Sequence, residues 1–228
     1  MGRDGWVRIV PFAVFMGFIG LQQGLEWAAQ RGLVGLDDQQ LLYLYPLKAV
    51  VVALLLMRFR SCYEELHWSD LKRLSQTAAS VALGLLVFVL WINMDWDFAS
   101  LGEAGGFNPT LVESDALRTG LIAFRLFGAV LVVPLMEELF WRSFLLRYLI
   151  DANFMVVRIG RYSLSSFLIG AVLFGLEHNL VLAGIMAGIA YSLLLYRSKS
   201  ILQCVLSHAV TNLALGIYVL QSGQWKFW

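Results

Sequence analysis

The stretch RTGLIAFRLFGAVLVVPLMEELFWRSFLLRYLI, Arg118 to Ile150, is apolar over most of its length, yet it carries two adjacent glutamates and an arginine just past its middle. As a helix rising 1.5 Å per residue it would be about 50 Å long, well beyond the ~30 Å hydrocarbon core of a bilayer. Pro134, three residues before the first glutamate, is expected to kink this helix or to open a new one. Ionisable side chains at bilayer depth cost about 2.5–3.5 kcal/mol each on insertion scales. Glu137, Glu138 and Arg142 therefore need partners or a task.

The rest of the chain has the same character. It has 228 residues, 59% of them hydrophobic and 14% charged, with a mean hydropathy of +0.71. Soluble domains average about 45–50% apolar and about 25% charged residues. The net charge of +1 is spread over short stretches, with no basic surface for nucleic acid and no acidic tail. Cys62 and Cys204 are too few for a disulfide framework and lack metal-site spacing. Arg3 and Arg8 precede an apolar run that no small-residue cleavage site follows, so an uncleaved first span is expected.

Spans are expected at Val7 to about Leu25, Leu41 to Met57 and Gln76 to about Met94, with Trp27, Tyr43 and Trp96 at interfaces. The acidic, glycine-rich stretch from Asp95 to Asp115, with Gly102, Gly105, Gly106 and Pro109, reads as a loop. Arg118 to Ile150 follows, then Tyr162 to Leu180, Val181 to Tyr196 and Ile201 to Leu220, with short turns at Asn179 and at Arg197 to Ser200. The expectation is an all-α polytopic membrane bundle of about seven to eight helices in one domain. Residues 1–117 supply N-terminal spans and the acidic loop, and residues 118–220 form the core. Ala183, Gly184, Ala187 and Gly188 in the sixth span suit close helix packing. Arg58, Arg60, Lys72, Arg73, Arg147, Arg158, Arg161, Arg197 and Lys199 fall in alternate loops. By the positive-inside rule the N-terminus is cytoplasmic and, for seven spans, the C-terminus lies outside.

Three pairs stand out at a spacing of four, each with at least one polar member. Glu138 and Arg142 share a helix face and can pair, while Glu137 points about 100° away. A buried ion pair that only fixes packing is the plainer reading of Glu138 and Arg142. Phe174 lies one turn before His178 and can orient its ring. Glu177, beside it near the span's end, is expected to meet the interface or solvent. His208 and Asn212 present an imidazole and an amide from one face, and the amide suits oxyanion stabilisation. Ser207 and Thr211 are read as structural hydroxyls.

There is no G-x-S-x-G, C-x-x-C, H-E-x-x-H or phosphate-binding glycine loop. A carboxylate, two imidazoles and an amide remain, enough for water to attack a carbonyl. Glu137, His178 and His208 also form the two-His, one-Glu set of a catalytic zinc. Regular alternating spans would place these three residues at different depths. A helix ending near Pro134, or an off-register fifth span, would bring them level.

E-E-x-x-x-R at Glu137, Glu138 and Arg142, F-x-x-x-H at Phe174 and His178, and H-x-x-x-N at His208 and Asn212 occur in this order. Together they resemble the CPBP family of type II CAAX prenyl endopeptidases and bacteriocin-processing relatives. Length and composition also resemble the CAAX-protease-like proteins of exosortase sorting systems. The resemblance implies an intramembrane glutamate protease of the bacterial inner membrane that needs no cofactor. Its substrate would be a peptide or lipidated protein, and its other partners membrane lipids. By motif position Glu137 would activate water with help from His178, His208 and Asn212 would hold the oxyanion, and Glu138, Arg142 and Phe174 would support them. The rivals are a non-catalytic sorting, chaperone or immunity protein, and a transporter, for which no inverted repeat is visible.

Overall fold

The computed structural model describes residues 2–101 and 106–228. Gly102 and Gly105 of the acidic loop lie outside the described residues. Seven helices carry the fold: α1 (Arg3–Gln30), α2 (Leu44–Phe59), α3 (Leu74–Asn93), α4 (Asp115–Tyr148), α5 (Leu164–Leu176), α6 (Val181–Ser198) and α7 (Ile201–Ser222). All but α5 belong to apolar helical stretches long enough to cross a membrane. The protein is an all-α integral membrane bundle, with span positions close to those expected.

Local chemistry sets several helix ends. Before α2, Asp37 accepts from the Gln40 backbone N–H at 2.7 Å while the Gln40 side chain accepts from the Asp37 N–H at 3.1 Å, a reciprocal cap. Lys199 ends α6 in the left-handed conformation, φ 56°, with its N–H on the Leu195 carbonyl, satisfying a carbonyl of the last turn.

Of the two outcomes expected at Pro134, a new helix does not occur, because α4 is one helical run. Its backbone widens into π turns at Gly128–Val132 and Leu139–Leu145. The Val133 N–H bonds to the Gly128 carbonyl, five residues back. The next such bond would join Pro134 to the Ala129 carbonyl, but proline has no N–H. The widened turn thus accommodates Pro134 and leaves the Ala129 carbonyl open to another donor.

Small residues bring helices close. A Cβ added at Gly184 of α6 would lie 2.9 Å from the Gly175 Cα of α5, and one at Gly188 would lie 3.2 Å from the Ala171 Cα. The expected small-residue face of the sixth span is therefore the α5–α6 contact. The turn between these helices is tied to the loop after α3 by the Leu101 N–H on the Asn179 carbonyl at 2.8 Å and by a bridge between Ser100 and Leu180.

At the other end a polar knot joins α1, α4 and the α2–α3 connection. Arg8, 1% exposed, grips Glu65 with two hydrogen bonds of 2.8 and 2.7 Å and donates to the Asp4 and Cys62 carbonyls. Ser143 of α4 bonds to both Arg8 and Glu65. Arg147 donates to the Ser143 hydroxyl at 2.9 Å and to the Val157 carbonyl. Arg147, expected among the loop charges, is buried at the end of α4 and belongs to this knot. Burial acts to raise the Glu65 pKa, but the hydrogen bonds and charge of Arg8 outweigh it and hold the carboxyl below its ordinary value.

The short α5 resolves the mismatch in depth. Its 13 residues span about 20 Å, so His178, just past its end, stops level with Glu137 of α4.

Candidate active site

Glu137, Glu138 and Arg142 project from the turn of α4 where the second π segment begins, and all three are buried. Glu138, fully buried, is a hub. Its Oε1 accepts from Arg142 Nη1 at 3.1 Å, as the spacing of four led one to expect, and lies 3.0 Å from His208 Nδ1 on α7. The Arg142 guanidinium continues over the Phe174 ring, 4.4 Å from its centroid, and donates to the Gly188 carbonyl at 3.4 Å. One ion pair thereby links α4, α5, α6 and α7.

Glu137 points elsewhere, as its place on the helix requires. Its Oε2 lies 4.0 Å from His208 Nε2 and has no hydrogen-bond partner, although the residue is only 5% exposed. His178 approaches from the α5–α6 turn. Its Nδ1 lies 2.7 Å from the Phe174 carbonyl oxygen. A carbonyl only accepts, so Nδ1 carries the hydrogen and Nε2 keeps a free lone pair. The Phe174 ring packs 4.9 Å from the imidazole, and Trp91 meets it edge-on at 5.2 Å. Phe174 thus orients His178 with both its ring and its carbonyl.

His208 stacks on Tyr191 of α6 at 4.9 Å. Tyr191 donates to Thr211, whose hydroxyl in turn donates to the Gly84 carbonyl of α3. Asn212 donates to the Ala129 carbonyl at 2.7 Å, the carbonyl that Pro134 leaves open. An asparagine amide has two hydrogens, so one is committed to α4 and the other is available to the cavity.

Glu177 departs from expectation. It does not turn to the interface or solvent. It joins the site, where ligand-type atoms of Glu137, Glu177 and His178 all lie within 4.8 Å of one another. Its Oε2 is buried without a hydrogen-bond partner. Among the described residues this is the one cluster of three metal-ligand side chains. The Glu137, His178 and His208 set considered for zinc is not the one that gathers, although His208 Nε2 lies 4.0 Å from Glu137 Oε2. Adjacency to His178 was the sequence signal for Glu177, and the early end of α5 carried both residues inward.

Glu137, Glu177, His178, His208 and Asn212 all line one cavity of about 790 Å³, which extends past Phe15 and Tyr45 to Glu26, Gln30 and Asp38. Lys48 and Arg125 also line it, and the sequence reading attached no role to them.

Apolar helices closed around buried charged groups and a cavity define an integral membrane protein with a polar centre inside the bundle. Residues 119–214 match the family model described as Rce1-like, type II CAAX prenyl endopeptidase Rce1-like. The matched segment, which contains α4 from Thr119 onward and the three ordered motifs, is similar to this family over somewhat less than half of the chain. No curated protein and no solved structure matches the chain.

Proposed function

We propose that the chain is an intramembrane endopeptidase that hydrolyses a peptide bond of a lipidated or membrane-associated peptide with a glutamate-activated water. The observation that carries this reading is Glu137, which lines a cavity shared with His178, His208 and Asn212 and whose Oε2 is buried without a hydrogen-bond partner. Glu137 takes a proton from water as the water oxygen bonds to the carbonyl carbon. His178, with its free Nε2 lone pair, positions that water. His208 and the second Asn212 hydrogen face the oxygen that becomes negative. On collapse the C–N bond breaks and the proton passes to the departing amine. Glu138 and Arg142 hold the helices in register around these groups. The core is residues 118–220, the membrane is the bacterial inner membrane, and the N-terminus is cytoplasmic.

Purified protein in detergent, offered membrane-associated peptides, is expected to cleave them. Glu137→Gln and His178→Ala should each lower the rate by about 10²–10⁴-fold, the usual contribution of acid–base catalysis, while thermal unfolding stays cooperative. Full activity in both variants would sink the assignment. A non-catalytic role instead predicts no cleavage and a loss of stability in Glu137→Gln.

A second reading is favoured by one observation, the convergence of Glu137, Glu177 and His178 within 4.8 Å. Two carboxylates and an imidazole suit a divalent cation that would polarise water. Loss of cleavage on chelation, with recovery on adding zinc, supports the metal; chelator-insensitive cleavage supports glutamate alone.

A further inference from the structure

The cavity that holds Glu137 and His208 also reaches two cations that no anion answers. Lys48 of α2 and Arg125 of α4 line it. Among the described residues neither forms an ion pair. Lys48 is 5% exposed, and its ammonium sits 4.4 Å from the Phe15 ring centroid and 5.0 Å from that of Tyr45. The Arg125 guanidinium lies 4.3 Å from the same Tyr45 centroid and 5.5 Å from that of Phe107, and its Nε is buried without a partner.

Aromatic faces alone do not account for this pair. Cations on aromatic rings gain some stabilisation, but buried charges in native proteins are normally paired or fully hydrogen-bonded. Here two like charges share one ring, and repulsion adds to the cost. The acids of the cavity, Glu26, Asp38, Glu137 and Glu177, pair with neither cation. An anion bound between Lys48 and Arg125 would offset the repulsion and answer the buried Arg125 Nε, and the rings of Phe15, Tyr45 and Phe107 would receive the apolar body next to it.

We infer that Lys48 and Arg125 form an anion subsite of this cavity, which takes the carboxylate or phosphate of an amphipathic ligand. The inference deepens the hydrolase reading by assigning a charged end to its substrate. The anion is either the terminal carboxylate of the bound peptide or the phosphate of a lipid headgroup.

The test uses full-length Glu137→Gln protein in neutral detergent, so that binding is read without hydrolysis. The probes are N-lauroyl-Ala-Ala-Leu as free acid, the same molecule as C-terminal amide, and lauroyl lysophosphatidate. Acid and amide enter micelles through the same chain and differ in one charge. The acid is expected to bind about tenfold or more tightly than the amide, the scale of hydrogen bonds to charged groups. Lys48→Gln and Arg125→Gln should each remove most of that preference, and Lys48→Arg should keep it. Lysophosphatidate binding that depends on Lys48 while the acid shows no preference assigns the subsite to lipid phosphate. Equal binding of acid and amide, with lysophosphatidate either unbound or bound equally well by Lys48→Gln, overturns the proposal, and the acid–amide comparison itself needs no substitution at Lys48 or Arg125. A preference unchanged in both glutamine variants overturns it too. Cleavage by the unmodified protein is scored separately. Lost preference with intact cleavage removes the subsite alone, and intact preference without cleavage of any peptide removes the hydrolase reading alone.

Discussion

Glu137 and Glu138 are neighbours with opposite circumstances, and the difference is one of partners. Glu138 is held by Arg142 and His208 in a fully buried position. Glu137 is buried with an oxygen that nothing satisfies. Removing one member of a buried pair leaves the other charge uncompensated, which costs about 3–5 kcal/mol. Glu138→Gln is therefore expected to lower the unfolding midpoint in detergent by several degrees, whereas Glu137→Gln should leave it nearly unchanged. Equal destabilisation by the two substitutions would contradict this division. The Glu138–Arg142 pairing was legible from a spacing of four. The contact of His208 with Glu138 was not, because no local spacing reports a neighbour 70 residues away. Lys48 and Arg125 escaped attention for a related reason: single cations in long spans look like snorkelling side chains until their surroundings are seen.

Within α4, Pro134, Ala129 and Asn212 form one device. The proline withholds a hydrogen from the widened turn, and α7 supplies it through Asn212. Asn212→Ala should cost about 1–3 kcal/mol, the penalty of an unsatisfied buried carbonyl. Pro134→Ala restores an N–H within reach of Ala129, so the double variant should lose less than the sum of the two single losses in a thermal-unfolding cycle. A proline inside a helix predicts a kink or a new helix; here no new helix opens, and the proline follows a π turn whose open carbonyl is met by a distant amide. The polar knot is a second device at this scale. The Glu65 pKa is held low in the folded protein, so its contribution is present above the unfolded carboxylate value, near pH 4.3, and is lost as pH falls through the lower folded value. Unfolding midpoints should therefore drop on acidification below about pH 4.3, and Glu65→Gln should flatten that dependence. The length of α5 was not visible in advance, since apolar residues continue on both sides of its ends.

Across the whole molecule, the all-helical bundle and nearly every span were legible, because long apolar runs leave few alternatives in a membrane. Arg58, Arg60, Lys72, Arg73, Arg158, Arg161, Arg197 and Lys199 all adjoin the helix ends that neighbour the knot. Reporter fusions after residue 153 are expected to be active only in the cytoplasm, and fusions after Trp228 only outside. The reverse pattern would invert the orientation and leave the fold untouched. The cavity runs from Glu26, Gln30 and Asp38 inward to His208, and none of its lining residues belongs to the knot of Arg8, Glu65, Ser143 and Arg147. It is thus a well with a floor. Glu137 lines the inner part of this well, while the interlocked arginines and the packed Met136 and Leu139 close the other end. A cavity so built admits solutes from one face and offers them no continuous path to the other.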